Sequence, residues 1–291
     1  MKRLRQIIND IKSLPPGSSN ELEHLLWPYI CYSPKMPLRF AQEQLLQGAE
    51  KGSLMVNDEY FAEKNLIFNT FKWGNGKHKL LLTHGWGSKA ADFAELIAAL
   101  IPIHDIEIIA FDAPGNGSSE GELSNLLLFK QAVKAIILRY GEPDILIGHS
   151  LGAMANIIAL REMQITPLQV ISITPLVRLK ENFEASMDAL NIPRASQTAF
   201  LESFHTKFGI PASHFTLDNW YEFDAQPNHW LVYDANDAVS PYAYLKAFLD
   251  KNPFIEVKNY EGVGHDKAIK SSIVIGDLVK VVERINSHYG C

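Results

Sequence analysis

The sequence predicts an α/β fold: a mostly parallel central sheet with helices on both faces and a helical insertion late in the chain. Three observations predict it. Short apolar runs such as Leu80–Leu82 and Ile145–Ile147 are too uniformly hydrophobic to leave one face wet, as strands buried on both sides must be. Amphipathic, helix-length segments separate them, the alternation of a parallel sheet with crossover helices. The rhythm then stops after Pro175 and resumes at His229, as a chain does when it leaves the sheet and returns.

Taken in order, residues 1–52 read as an N-terminal helical extension. Helical patterns at Leu4–Lys12, Glu21–Ile30 and Pro37–Gly48 are divided by the break Leu14–Ser19. The extension is expected to pack against the outside of the sheet. The first part of the core, 53–175, opens with a strand at Leu66–Trp73 and a turn at Gly74-Asn75-Gly76, whose residues tolerate positive φ. A strand ending at Thr83 follows, then a helix over Ala90–Ile101 stopped by Pro102. After it come a strand at Ile106–Phe111 and a helix over Leu123–Tyr140 closed by Gly141. Asp144–Ile147 and Leu168–Thr174 complete the first run of strands. The segment 176–227 has no clear strand; helical patterns at Leu179–Leu190, Ala195–Phe208 and Leu217–Tyr221 make it a helical cap. The second part of the core, 228–291, holds a strand at His229–Tyr233 and a helix from Pro241 with Ser240 as expected N-cap. A strand at Phe254–Lys258 and a last helix from Lys267 to His288 end it.

Composition narrows the partners. The chain has 291 residues, 47% hydrophobic and 21% charged, the balance of a globular domain. A formal net charge of −6 gives no reason to expect nucleic acid or an anionic membrane. Two cysteines, Cys31 and Cys291, do not make a disulfide framework. The basic start, Met1–Arg5, is interrupted by Asn9, Asp10 and Lys12 before any export-signal core can form, and no apolar run is long enough to cross a bilayer. The expected location is the cytoplasm, without membrane insertion.

The chemistry is concentrated at Gly148-His149-Ser150-Leu151-Gly152, which lies between a strand and an alanine-rich helix. A chain that reverses within a few residues strains its central residue, and only small flanking residues avoid a clash. The serine hydroxyl is thereby pushed to the end of the sheet as a nucleophile. Such a serine needs a base, a group to orient that base, and donors for the oxyanion. In an open α/β sheet these meet in loops at the carboxyl ends of strands. Of ten histidines, His265 in Glu261-Gly-Val-Gly-His265-Asp266 follows the final strand and has no packing reason to be there, so it is the candidate base. The loop Asp234-Ala-Asn-Asp237 offers two acids. Asp237 lies deeper and is favoured; Asp234 would tie the loop to backbone amides, and the opposite assignment is the alternative. The oxyanion donors are expected to be the amides of Leu151, at the helix N-terminus, and of Trp86 in His84-Gly-Trp-Gly87. No metal-binding His-Glu-x-x-His, no paired Cys-x-x-Cys and no phosphate loop with a following Lys is present, so neither metal nor cofactor is indicated.

His84-Gly-Trp-Gly-Ser88, Phe111-Asp-Ala-Pro-Gly-Asn-Gly-Ser118, Gly148–Gly152, Asp234–Asp237 and Gly264-His265 stand in the order and spacing of the α/β-hydrolase superfamily. From about residue 53 onward the chain resembles its capped bacterial esterase-like members. The resemblance implies Ser150, Asp237 and His265 as a triad, with oxyanion donors at Trp86 and Leu151. Asn116 stands where many members have histidine, in a loop of mainly structural use. Epoxide hydrolases and dehalogenases of the superfamily carry a carboxylate at the position of Ser150, which argues against both. The expected activity is hydrolysis of small carboxylic esters with a short- to medium-chain apolar acyl or alcohol group. Thioesterase, lactonase, amidase and acyltransferase activities use the same machinery, and a non-catalytic small-molecule-binding homologue is the alternative from another class. The cap's large apolar residues, Phe183, Met187, Phe200, Phe204, Phe208, Phe215, Trp220 and Phe223, are expected to divide between the cap's own core and a pocket wall.

Overall fold

The computed structural model describes residues 2–15 and 18–289; of the Leu14–Ser19 break, Pro16 and Gly17 lie outside them. The strands are β1 (Glu50–Asp58), β2 (Lys64–Gly74), β3 (His78–Thr83), β4 (Ile106–Phe111), β5 (Ile145–His149), β6 (Gln169–Ile173), β7 (Asn228–Tyr233) and β8 (Glu256–Asn259). The helices begin with α1 (Lys2–Ser13), α2 (Ser19–Cys31), α3 (Phe40–Gln47), α4 (Ala94–Leu100), α5 (Leu126–Tyr140) and α6 (Leu151–Met163). They continue with α7 (Leu179–Asp188), α8 (Arg194–Phe208), α9 (Leu217–Trp220), α10 (Tyr242–Lys251) and α11 (Ser272–Tyr289).

All eight strands form one sheet in the order β1-β2-β4-β3-β5-β6-β7-β8. Strands β3 to β8 run parallel, while β2 pairs antiparallel with both β1 and β4. Alternate side chains of the central strands enter two cores. Leu81, Leu146 and Leu231 join α5 and α6 on one face; Leu80, Leu82, Ile145, Ile147, Trp230 and Val232 join α4 and α11 on the other. That is the two-sided burial expected of uniformly apolar strands. The chain passes from β3 to β4 on one side and then to β5 on the other, so the order reverses beside β3. A crevice opens outside the carboxyl ends of the strands at such a reversal.

Several elements differ from expectation for physical reasons. β1 was not expected, and it starts at Glu50, so a boundary at residue 52 falls inside a strand. Only Val56 and Asp58 of β1 are buried, and an edge strand that is mostly wet carries little apolar signal. The helix expected from Leu123 starts at Leu126, capped by Asn125 Oδ1, which accepts from the Leu128 amide at 2.9 Å. Ser240 does not cap α10. Pro241 occupies the entry position, and the Ser240 hydroxyl donates to the Pro175 carbonyl at 2.6 Å. The last helix is preceded by a separate 3-10 turn, Ala268–Lys270.

The extension is placed differently from expectation. Only α3 lies against the sheet's flank, with Leu46 in the second core and the Trp73 indole donating to the Leu45 carbonyl. α1 and α2 pack instead on the helices between β6 and β7: Ile7, Ile11 and Leu26 share a core with Met187, Ile192 and Phe200. The apolar stripe of α1 finds unpartnered apolar surface there, whereas the sheet's faces are already covered. Among the described residues, no helix is long and apolar enough to cross a membrane.

One polar cluster in this packing ties the helical segment to the sheet. His229 of β7 is buried and hydrogen-bonds to the Tyr221 hydroxyl, just after α9, and to Ser172 Oγ of β6, both at 2.9 Å. Burial pushes its pKa from 6.5 down to about 3. The unfolded chain therefore takes the proton first, and stability present above pH 6.5 is lost as the pH falls toward 3. The melting temperature should drop between pH 7.5 and pH 5, above the carboxylate range. Thermal melts at those two pH values check this, and an unchanged Tm contradicts it.

Candidate active site

Strand β5 ends at His149 and α6 begins at Leu151, so Ser150 alone makes the turn, with φ 51° and ψ −119°. A non-glycine residue holds such a conformation at a cost of roughly 1–3 kcal/mol, and only where its surroundings fix it. Here the Ser150 amide donates to the Ile173 carbonyl, and its own carbonyl accepts from the Ala153 and Leu176 amides, each at 3.1 Å. The flanking glycines are required by close approach. A Cβ at Gly148 would lie 2.5 Å from Ala153 Cα, and one at Gly152 would lie 2.3 Å from the His84 carbonyl oxygen.

The loops after β7 and β8 bring two further side chains to this serine. His265 Nδ1 lies 2.7 Å from Asp237 Oδ2, and His265 Nε2 lies 2.8 Å from Ser150 Oγ. A carboxylate only accepts, so Nδ1 carries the proton and Nε2 presents its lone pair to the serine hydroxyl. Burial raises the Asp237 pKa, but its hydrogen bond and electrostatic interaction with His265 outweigh it. With the Ser240 and Val239 amides donating to Oδ1, the carboxyl lies below its ordinary value.

Asp234 is placed otherwise. Its Oδ1 accepts from the Asn236 amide at 2.9 Å, and its Oδ2 accepts from the Gly264 amide at 2.8 Å. It therefore ties its own loop to the one carrying His265.

The loop after β3 passes directly against the serine: a Cβ at Gly85 would lie 3.1 Å from Ser150 Cβ. Among the described residues the amides of Trp86 and Leu151 donate to no protein acceptor, so both remain free for a ligand. His84 anchors this loop. Its Nδ1 donates to the Gly85 carbonyl at 2.7 Å, and its Nε2 accepts from the Ala113 amide at 3.0 Å. Burial lowers its pKa, which keeps the ring neutral. Asp112 accepts from the Ala90 amide and from the amide and hydroxyl of Ser118, closing the β3 and β4 loops against each other.

Sequence reasoning missed several supporting residues. His149 Nε2 donates to the His265 carbonyl at 3.2 Å, and Thr174 Oγ1 donates to the same oxygen at 3.3 Å. Burial, reinforced by the neighbouring His265 ring, pushes the His149 pKa down to about 3. Nothing in the sequence signals a bond from a side chain to a carbonyl in a distant loop. Asn116 also does more than its loop suggested, accepting from Ser33 of the extension and donating to Ser124.

Ser150 and His265 open into a cavity of about 390 Å³, within the range of small-molecule sites. Phe183, Phe204, Phe208 and Phe215 line it, whereas Met187 and Phe200 pack with α1 and α2. Asn125 lines it too, with its Nδ2 buried and without a partner among the described residues. For a metal, the described residues bring His149, His265 and Asp266 within 4.8 Å of one another. Both His265 nitrogens and His149 Nε2 are already engaged, leaving two donors where a zinc site takes three or four.

The model of the alpha/beta hydrolase family matches residues 80–269. Among solved structures, an esterase from Pyrococcus furiosus is similar, with 16% identity and TM-score 0.58 over 89% of this chain and 97% of that one. Mouse alpha/beta hydrolase domain-containing protein 10 has 19% identity and TM-score 0.59, over 81% and 99%. A haloalkane dehalogenase from Agrobacterium tumefaciens has 14% identity and TM-score 0.60, over 85% and 100%. At these identities the likeness is one of fold. No curated protein matches the chain by sequence.

The two amide bonds of Asp234 are made by a carboxylate that is only 3% exposed, and losing such bonds costs roughly 1.5–3 kcal/mol. Asp234→Ala should therefore lower Tm by about 5 °C, read in a thermal melt. An unchanged Tm would show that the two loops do not depend on this tie.

Proposed function

The chain belongs to the alpha/beta hydrolase family, and on that footing we propose that it is a serine hydrolase acting on carboxylic esters with a short- to medium-chain apolar acyl or alcohol group. The observation that carries this reading is the continuous hydrogen-bonded line from Ser150 Oγ through His265 to Asp237. In the proposed reaction Ser150 Oγ attacks the ester carbonyl carbon as its proton passes to His265 Nε2. Asp237 holds the ring in the reactive tautomer and stabilises the imidazolium that forms. The carbonyl oxygen, now an oxyanion, takes the free amides of Trp86 and Leu151, and removing one such donor typically costs about 2.7–4 kcal/mol of barrier. The tetrahedral carbon then expels the alkoxide, His265 returns the proton to it, and the alcohol departs. Water, deprotonated by the same nitrogen, attacks the acyl-serine; the acid leaves and Ser150 recovers its proton.

The substrate class rests on the cavity. Among the described residues its lining is dominated by aromatic and aliphatic side chains and includes neither Lys nor Arg, which favours a neutral, apolar group over a phosphorylated or anionic one. Ser150 in place of a carboxylate favours acyl transfer over the chemistry of a dehalogenase.

Ser150→Ala should reduce turnover of p-nitrophenyl butyrate by at least about 10⁴-fold without lowering Tm, and a fluorophosphonate should label the unaltered chain stoichiometrically at Ser150. Full activity in the purified variant, or no labelling of folded protein, would overturn the assignment. Asp237→Asn keeps the shape but can donate to Nδ1, which fixes the wrong tautomer. Its kcat should fall by about 10⁴-fold, and a kcat within tenfold of the original would remove Asp237 from its role.

A further inference from the structure

The extension does more than cover apolar surface. Leu4 of α1, Tyr29, Ile30 and Cys31 of α2, and Tyr32 and Pro34 just beyond line the same cavity as Ser150 and His265. These residues are fixed from two sides. Toward the helices between β6 and β7, the Tyr29 hydroxyl donates to the Ser186 carbonyl at 2.8 Å. Trp27 packs on Phe200 and Phe208, at ring separations of 4.9 and 5.9 Å. Toward the core, Tyr32 bridges to Leu123, the Ser124 amide donates to the Cys31 carbonyl at 2.8 Å, and the Ser33 hydroxyl donates to Asn116. A segment held both to the inserted helices and to the loop between β4 and α5 spans the cavity between them. Its contribution to the lining is chiefly hydrocarbon and aromatic ring, and the Tyr29 hydroxyl is already engaged.

We propose that α1 and α2 are a specificity-determining part of the site: they form one wall of the substrate cavity and set how long an apolar chain it accepts. This rests on the ester-hydrolase reading above. The substrate class it names is esters of unbranched aliphatic chains whose tail lies against Leu4 and Ile30. Shrinking a side chain of this wall lengthens the preferred chain, and enlarging one shortens it. One methylene more or less in an apolar pocket shifts discrimination by about tenfold or more.

The test measures kcat/KM for the full-length chain, Leu4→Trp and Ile30→Ala on two series, p-nitrophenyl alkanoates and alkyl acetates, with Tm recorded for each variant. Leu4→Trp should lower the octanoate-to-acetate ratio, or the octyl-to-ethyl ratio, by about tenfold. Ile30→Ala should raise the preference for dodecyl over octyl chains by a similar factor. Leu4 and Ile30 are both only half-buried, and the two variants predict opposite shifts, so loss of folding in one leaves the other to decide. Chain-length profiles unmoved in both series, in folded variants of an active enzyme, overturn this inference alone. No turnover of any ester by the unaltered chain overturns the hydrolytic reading and this inference with it.

Discussion

The carboxyl edge of the sheet depends on one strained residue. Ser150 adopts φ 51° because β5 must become α6 within a single residue, and it stays there because its amide and carbonyl are bonded to Ile173, Ala153 and Leu176. The same tightness brings Gly152 against the backbone of Thr83 and His84, so the end of β3 is clamped to the start of α6. The loop that offers the Trp86 amide is thus located by the turn that exposes the serine. Strain of this kind persists only where packing over-determines it. Here the determinants come from β3, β5 and β6 together.

The His265 loop is fixed by a separate set of bonds. The Asp234 carboxylate holds its Gly264 amide, while His149 and Thr174 both donate to the His265 carbonyl. The ring nitrogens are thereby left to Asp237 and Ser150, and the loop's position does not depend on the bonds that the proposed reaction makes and breaks. His149 can serve in this way because burial keeps it neutral, with one ring nitrogen as donor. A second positive charge beside His265 would oppose formation of an imidazolium there.

Legibility in the sequence followed how locally each feature is encoded. The central strands were readable because burial on both faces leaves no polar alternation to confuse them. Ser150, Asp237 and His265 were readable because strand ends are where α/β sheets place side chains that meet. β1 was hidden because an edge strand with two buried residues has almost no apolar pattern. The placement of α1 and α2 was hidden because amphipathicity tells which face is buried, not against what. A stripe such as Ile7 and Ile11 fits a sheet flank as well as it fits Met187 and Ile192. The bond from His149 at the end of β5 to the His265 carbonyl joins positions 116 residues apart, and no local pattern encodes it.

The contacts of α1 and α2 join the extension and the inserted helices into one body. Trp27 lies among Phe61, Phe200, Phe204 and Phe208. The Lys207 ammonium of α8 sits 5.5 Å from the Trp27 ring and 5.3 Å from Phe61, and donates to the Tyr60 carbonyl in the β1–β2 turn. A cation over aromatic faces contributes about 0.5–2 kcal/mol depending on desolvation. In that position it links α2, α8 and the first hairpin at once. The cavity's cover is therefore built from segments far apart in sequence that share aromatic contacts, while Ser150, His265 and Asp237 stand at the strand ends of the sheet. Substitutions in the cover can then change the shape of the cavity without touching the bonds that set Ser150, His265 and Asp237.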